Sequence, residues 1–167
     1  MAKAFRYTGC RPSPRARAKA ITLVGCVGLA VLASECAKRR PVGAVADLSP
    51  GQKGFQAYCA ACHMSNGPGI PAEAPPLEGS QWVTGPEDRL IKIVLEGLRG
   101  PIEVNGKIYN QEMPAVGKAL ADEQVASVLS FVRGLSGESK PVLPADINRV
   151  RAATRDRTAY WTVEDLR

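Results

Sequence analysis

The stretch Cys59-Ala60-Ala61-Cys62-His63 holds the residues whose types and spacing most directly imply chemistry. Two thiols separated by two residues, with an imidazole directly after the second, form the attachment pattern of a c-type haem. Both sulfurs must reach vinyl groups along one side of a porphyrin, and the next side chain must then face the iron. A helix running through the motif supplies that geometry, because residues three and four apart share a helical face. Two other chemistries use the same residue types. A dithiol redox centre wants Cys-x-x-Cys at a helix start within a βαβ unit, and no strand-like run precedes Cys59. A closed zinc site wants a fourth ligand, but His63 is the single histidine and the remaining cysteines, Cys10, Cys26 and Cys36, lie far upstream. The pattern predicts one covalent haem c on Cys59 and Cys62, with His63 as the proximal iron ligand.

With the only imidazole used, the other axial position needs a different donor or stays open. Met1 belongs to the pre-sequence, and Met64, next to His63, cannot reach the far side of the ring. Met113 remains, in Asn110-Gln111-Glu112-Met113-Pro114. Pro114 restricts Met113 to extended backbone and stiffens its approach. A thioether opposite an imidazole is an established axial pair, and it raises the reduction potential. Both positions are then filled, so neither substrate nor O₂ has a free site. This favours outer-sphere electron transfer over catalysis. A dihaem peroxidase would also need a second attachment motif, and the chain has none.

The elements that must position these residues are legible as helices. Ser49-Pro50-Gly51-Gln52 reads as a helix start, with a serine cap, proline at the first position and glutamine three residues after the cap. Phe55, Tyr58, Cys59 and Cys62 follow at helical spacing. Gly85-Pro86-Glu87-Asp88 opens a second helix with Leu90, Ile91, Val94, Leu95 and Leu98 as its apolar side and Gly100 near its end. A third spans about 122–133, with Val125, Val128, Leu129 and Val132 inward and Leu120 stapled onto Val125. Val104-Asn105-Gly106-Lys107-Ile108 is a hairpin signal that delivers Tyr109 and the Met113 loop. Residues 66–79, rich in Gly and Pro, predict an ordered loop. The fold class is all-α, three main helices around one covalent haem with a minor β-hairpin. A core this thin leaves room for a buried macrocycle to complete it.

Over residues 47–136 the sequence resembles the class I monohaem cytochromes c of bacteria. The resemblance rests on Gly51 and Phe55 ahead of Cys59-x-x-Cys62-His63, on Pro75-Pro76-Leu77, on Met113-Pro114, and on a helix ending Leu129-Ser130-Phe131-Val132-Arg133. It implies that Gly51 and Phe55 cross that helix near Val128 and Phe131, and that the Pro75 carbonyl accepts the His63 Nδ1 proton. It also implies that Leu77 packs on the proximal haem face. Trp82 and Tyr109 are candidates for contacts near the propionates, with ordinary core packing an equal alternative. The run from Gly100-Pro101 through Tyr109 to Met113-Pro114 looks like cytochromes that accompany membrane-bound or quinoprotein dehydrogenases. Ala121 departs from the Ser or Thr helix cap of such relatives, at some expected cost in stability.

Charge sorts the rest of the chain. The net charge is +6, but residues 1–40 hold nine Lys/Arg against one acid, leaving 13 basic and 15 acidic residues beyond. The basic character therefore belongs to the N-terminus, and with 5% aromatic residues there is no stacking platform for bases, so nucleic acid is excluded as a partner. Residues 20–34 form an uncharged, mostly apolar run behind six basic residues, the layout of an export signal or membrane anchor over 1–46. Cleavage after Ala44-Val45-Ala46, lipidation at Cys36 or Cys26, and an uncleaved anchor remain open; each places the remainder in the periplasm or another extracytoplasmic space. Residues 137–167 read as a linker at Gly137, Pro141 and Pro144 and a short amphipathic helix around Ile147 and Val150. The tail either packs Tyr160 and Trp161 on its own domain or presents Arg149, Arg151, Arg155 and Arg157 to an acidic redox partner. The functional expectation is an exported electron carrier serving a dehydrogenase or quinol-oxidising complex and a terminal acceptor.

Overall fold

The computed structural model describes residues 48–167. The expectations for the export segment, including Cys10, Cys26, Cys36 and the cleavage site, lie outside the described residues. Helix α1 spans Pro50–Tyr58 and starts as expected, with the Ser49 hydroxyl accepting from the Gln52 amide. It does not run through the haem motif. Cys59 (φ −120°, ψ −33°) breaks the helix, and a separate turn, α2 (Ala60–His63), carries the second half. The His63 amide still donates to the Cys59 carbonyl at 2.9 Å, so the motif stays compact. The break redirects the face: Phe55 is fully buried, while Tyr58 and Cys62 are exposed.

Helix α3 (Gln81–Thr84) is a short turn capped by Ser80, and α4 spans Glu87–Glu96. The glycine that ends α4 is Gly97 (φ +81°) rather than Gly100, so Leu98 lies beyond the helix. Strands β1 (Ile102–Val104) and β2 (Lys107–Tyr109) pair antiparallel, Val104 opposite Lys107. Asn105 and Gly106 both take positive φ, as the two-residue turn requires. Helix α5 covers Asp122–Gly134. Ala121 offers no side-chain cap, but Gln124 Oε1 accepts the Ala121 amide, which supplies half of a capping box.

Helices α1 and α5 cross at close range. A Cβ on Gly51 would sit 2.1 Å from the Ser127 carbonyl oxygen, so only glycine permits this approach. Phe55 fills the crossing against Phe131, ring centroids 5.2 Å apart, beside Val128. Truncating a buried phenylalanine of this kind costs about 3–5 kcal/mol. The second core joins α4 and α5 through Leu90, Ile91, Leu95, Val125 and Leu129.

Residues 137–167 complete that core. Helix α6 (Pro144–Thr154) buries Ile147 and Val150 in it, together with Val142, whose amide donates to Ser130 Oγ of α5. Three of the four arginines are engaged within the chain. Arg149 forms a two-pronged pair with Asp88, at 2.8 and 2.7 Å. Arg151 Nε donates to Asp122, and Arg157 lies over the Trp161 ring with its Nη2 on Asp165. The tail thus packs on its own domain, and Arg155, which pairs with its neighbour Asp156, is the most exposed of these four arginines. Thr162 and Asp165 cap each other reciprocally ahead of a final turn. Among the described residues no helix is long and apolar enough to cross a membrane.

Candidate functional site

A cavity of about 470 Å³ opens between α1, α2 and the segment 98–116. That volume lies in the range of sites that enclose a small organic group, about 300–1,000 Å³. Cys59, Cys62 and His63 line it from the motif, Pro75 from the loop that follows, and Tyr109 and Met113 from the hairpin and the segment after it. Ile70, Leu98, Ile102 and Val116 give the wall its apolar character, and Glu73 and Glu112 are its carboxylates; no Lys or Arg lines it.

His63 is prepared to be an iron ligand. Its Nδ1 lies 3.0 Å from the Pro75 carbonyl. Donation of the Nδ1 proton there leaves the Nε2 lone pair for a metal and fixes the ring plane. Burial pushes the imidazole pKa below its ordinary value, an effect the Pro75 bond opposes, so burial favours the neutral ligand form. The carbonyl can reach His63 because of Gly69. That residue sits at φ +72°, and a Cβ there would come within 2.3 Å of the Ala74 carbonyl oxygen and 2.7 Å of that of Pro75. The Gly69 amide in turn donates to the His63 carbonyl at 3.1 Å, closing the loop on itself. Gly69 lies in the Gly/Pro-rich loop expected over residues 66–79, and its one sequence signal is its place six residues after the histidine and six before the proline.

The two thiols differ in setting. Cys59 is half-buried beside the Phe55 cluster, and its free thiol is pushed up to about 11, first by burial and then by Cys62. Cys62 is exposed at the cavity mouth. A raised thiol pKa slows unassisted thiolate chemistry at neutral pH; a thioether, once formed, does not titrate.

Met113 is partly buried and held by its backbone. Its amide donates to the Leu98 carbonyl at 2.9 Å and its carbonyl accepts from the Leu98 amide at 3.0 Å. The donor set fits a haem by its chemistry: two thiols for thioether bonds, an imidazole with its Nε2 free, and a soft thioether on the same cavity. Tyr109, 6% exposed, lines the wall. Leu77 and Trp82 do not. Leu77 packs on the Phe55 cluster and donates its amide to Gly67. Trp82 turns its indole N–H to the Glu103 carbonyl at 3.0 Å, with Arg89 over its ring, which ties α3 to the hairpin.

Comparison with known proteins shows the family. The Cytochrome c family model matches residues 48–136. Cytochrome c-552 of Thermus thermophilus is 41% identical over 90 residues, covering 52% of this chain and 68% of the relative. The cytochrome c subunit of alcohol dehydrogenase (quinone) from Gluconacetobacter polyoxogenes is 31% identical over 105 residues, 61% of this chain but 22% of that subunit. The gluconate 2-dehydrogenase cytochrome c subunit of Pantoea cypripedii is 36% identical over 112 residues, 63% and 24% respectively. The chain belongs to the cytochrome c family: it carries covalent haem c and transfers electrons without being itself a catalyst.

Proposed function

We propose that this member of the cytochrome c family is an exported carrier whose haem iron is held by His63 and Met113. It passes single electrons between a membrane-associated dehydrogenase or quinol-oxidising complex and a terminal acceptor. The haem supplies the Fe(II)/Fe(III) couple; the protein's residues hold it, orient it and keep water from it. Cys59 and Cys62 fix its edge. Pro75 sets the tautomer and plane of His63. Tyr109 and the apolar wall exclude solvent, which lowers the reorganisation that each charge change demands. Leu77 and Trp82 act one layer out, by supporting the loop and the hairpin.

The observation that carries this reading is that one cavity takes Cys59, Cys62 and His63 from one segment and Met113 from another. The choice of partner is supported by relatives that are named as cytochrome c subunits of dehydrogenases, although this chain spans only about a quarter of their length. In this reading residues 1–46 direct export and membrane association, 47–136 form the haem domain, and 137–167 form a helical extension. The test is expression into a periplasm with an intact haem-attachment apparatus. The purified protein is expected to gain the mass of one haem, to show the far-red band of a thioether–Fe(III) bond, and to resist carbon monoxide at neutral pH. A missing band together with ready carbon monoxide binding would overturn the His63/Met113 assignment.

A further inference from the structure

The segment after α6 reaches the back of the Met113 loop. Residue Leu98 is paired on two sides. On one it exchanges both backbone hydrogen bonds with Met113; on the other, Trp161 lies parallel to it, with the Trp161 amide donating to Gly97 at 3.0 Å and the Arg99 amide donating to Trp161 at 2.9 Å. Three chain segments therefore lie side by side, Met113 and Trp161 on the outside and Leu98 between them. Gly97 makes the approach possible. A Cβ there would meet the Tyr160 ring at 2.4 Å and the Met113 carbonyl oxygen at 2.6 Å.

The Trp161 ring is fixed at its N–H edge by a buried carboxylate. Glu96, 6% exposed, accepts the Trp161 indole N–H on Oε2 at 3.1 Å and the Thr154 hydroxyl on Oε1 at 2.7 Å. Both oxygens are thus used, each by the C-terminal region, which explains a buried acid on an otherwise apolar helix face. Arg157 closes the arrangement from above, 3.6 Å from the ring centroid, while its Nη2 donates to the Tyr160 carbonyl. Trp161, Ile93 and Leu98 form a small buried cluster, and Met113 packs against it.

We infer that Glu96 and Trp161 are positioning residues for the Met113 thioether. They act through Leu98 and the cluster on which Met113 rests, so that the C-terminal segment sets how often the thioether leaves the iron. This inference rests on the proposed His63/Met113 ligation. Imidazole added to the ferric holoprotein binds only when that bond is open, so its binding rate reads the opening.

The test compares Glu96→Ala and Trp161→Phe with Glu96→Gln and with Val128→Ala, a truncation at the α1–α5 crossing. Glu96→Ala removes both acceptors, and Trp161→Phe removes the indole donor while keeping a ring. Each removes the Glu96–Trp161 bond and is expected to speed imidazole binding about tenfold, the size of one lost buried hydrogen bond, and to weaken the far-red band. Glu96→Gln can still accept from Trp161 and donate to the Thr154 oxygen, and is expected to restore most of the band. Val128→Ala is expected to lower the melting temperature without changing the imidazole rate. The inference is overturned if Glu96→Ala leaves the rate unchanged, or if Val128→Ala raises it as much. A wild-type protein that lacks the far-red band overturns the ligation reading instead, so the two failures are distinguishable.

Discussion

The two sides of the haem cavity are assembled from contacts of very different reach. On the His63 side the contacts that orient the imidazole are near in sequence: the Pro75 carbonyl is 12 residues away, and Gly69 between them closes the loop. On the Met113 side the supports come from across the chain. Leu98 lies on one flank, and the Trp161 that backs it is anchored to a glutamate 65 residues earlier. A local loop costs little closure entropy and forms readily. A distant clasp costs more to assemble, and its strength is set by the packing of several segments at once. One consequence is that the imidazole side of the cavity should be the steadier and the thioether side the more easily opened.

The largest test of that contrast is Met113→Ala. The haem is expected to stay covalently bound through the intact motif, so the protein mass keeps its increment, while the far-red band disappears and carbon monoxide binds. The reduction potential should fall by on the order of 0.2 V, inside the roughly 0.8 V that axial ligands span. Loss of the haem itself in this variant would show that the two sides do not act separately. Gly69→Ala strikes the other side. It forces a Cβ into the Ala74 and Pro75 carbonyls at a positive φ, and should cost about 2–3 kcal/mol of stability in denaturant titration. The far-red band should survive in the fraction that remains folded. A band lost before unfolding would mean that the His63 loop is the weaker of the two.

The smallest effect concerns a surface tie of the same C-terminal region, the Asp88–Arg149 pair. Arg149 holds the Asp88 carboxyl below its ordinary 3.8, chiefly through its hydrogen bond. A carboxylate with a depressed folded pKa stabilises above its unfolded value and loses that contribution as the pH falls through the folded value. Asp88→Asn should therefore lower the melting temperature slightly at pH 7 and not at all well below pH 3.8. The pair is solvent-exposed, so the effect should also shrink with added salt. A difference that persists at low pH would assign the tie to packing rather than charge.

The same contrast of reach decides what could be read in advance. Ser49-Pro50, the α5 periodicity and Asn105-Gly106 are local signals, and each element formed where its residues indicated. The haem motif was legible for the same reason. Its helix was not, because Cys59 adopts a backbone that no neighbouring residue type announces. Met113 was singled out by elimination, since one histidine leaves the second axial position without an imidazole, and it lines the same cavity as His63. The supports of Met113 were hidden. Glu96 reads as one more charge near a helix end, and nothing in its vicinity points to Trp161. Composition left two readings of the tail open, one of them a docking patch of Arg149, Arg151, Arg155 and Arg157, whereas Arg149, Arg151 and Arg157 close ion pairs whose partners lie on other elements or beyond the helix.

The parallel pairing of Leu98 with Trp161 also carries a consequence for biogenesis. A polypeptide delivered from its N-terminus presents residues 59–75 well before residue 161 has emerged. The local contacts of the half that carries Cys59, Cys62 and His63 are thus available before the tail is. Only the arrival of the tail backs the opposite half, where Trp161 pairs with Leu98 and Met113 packs on the same cluster.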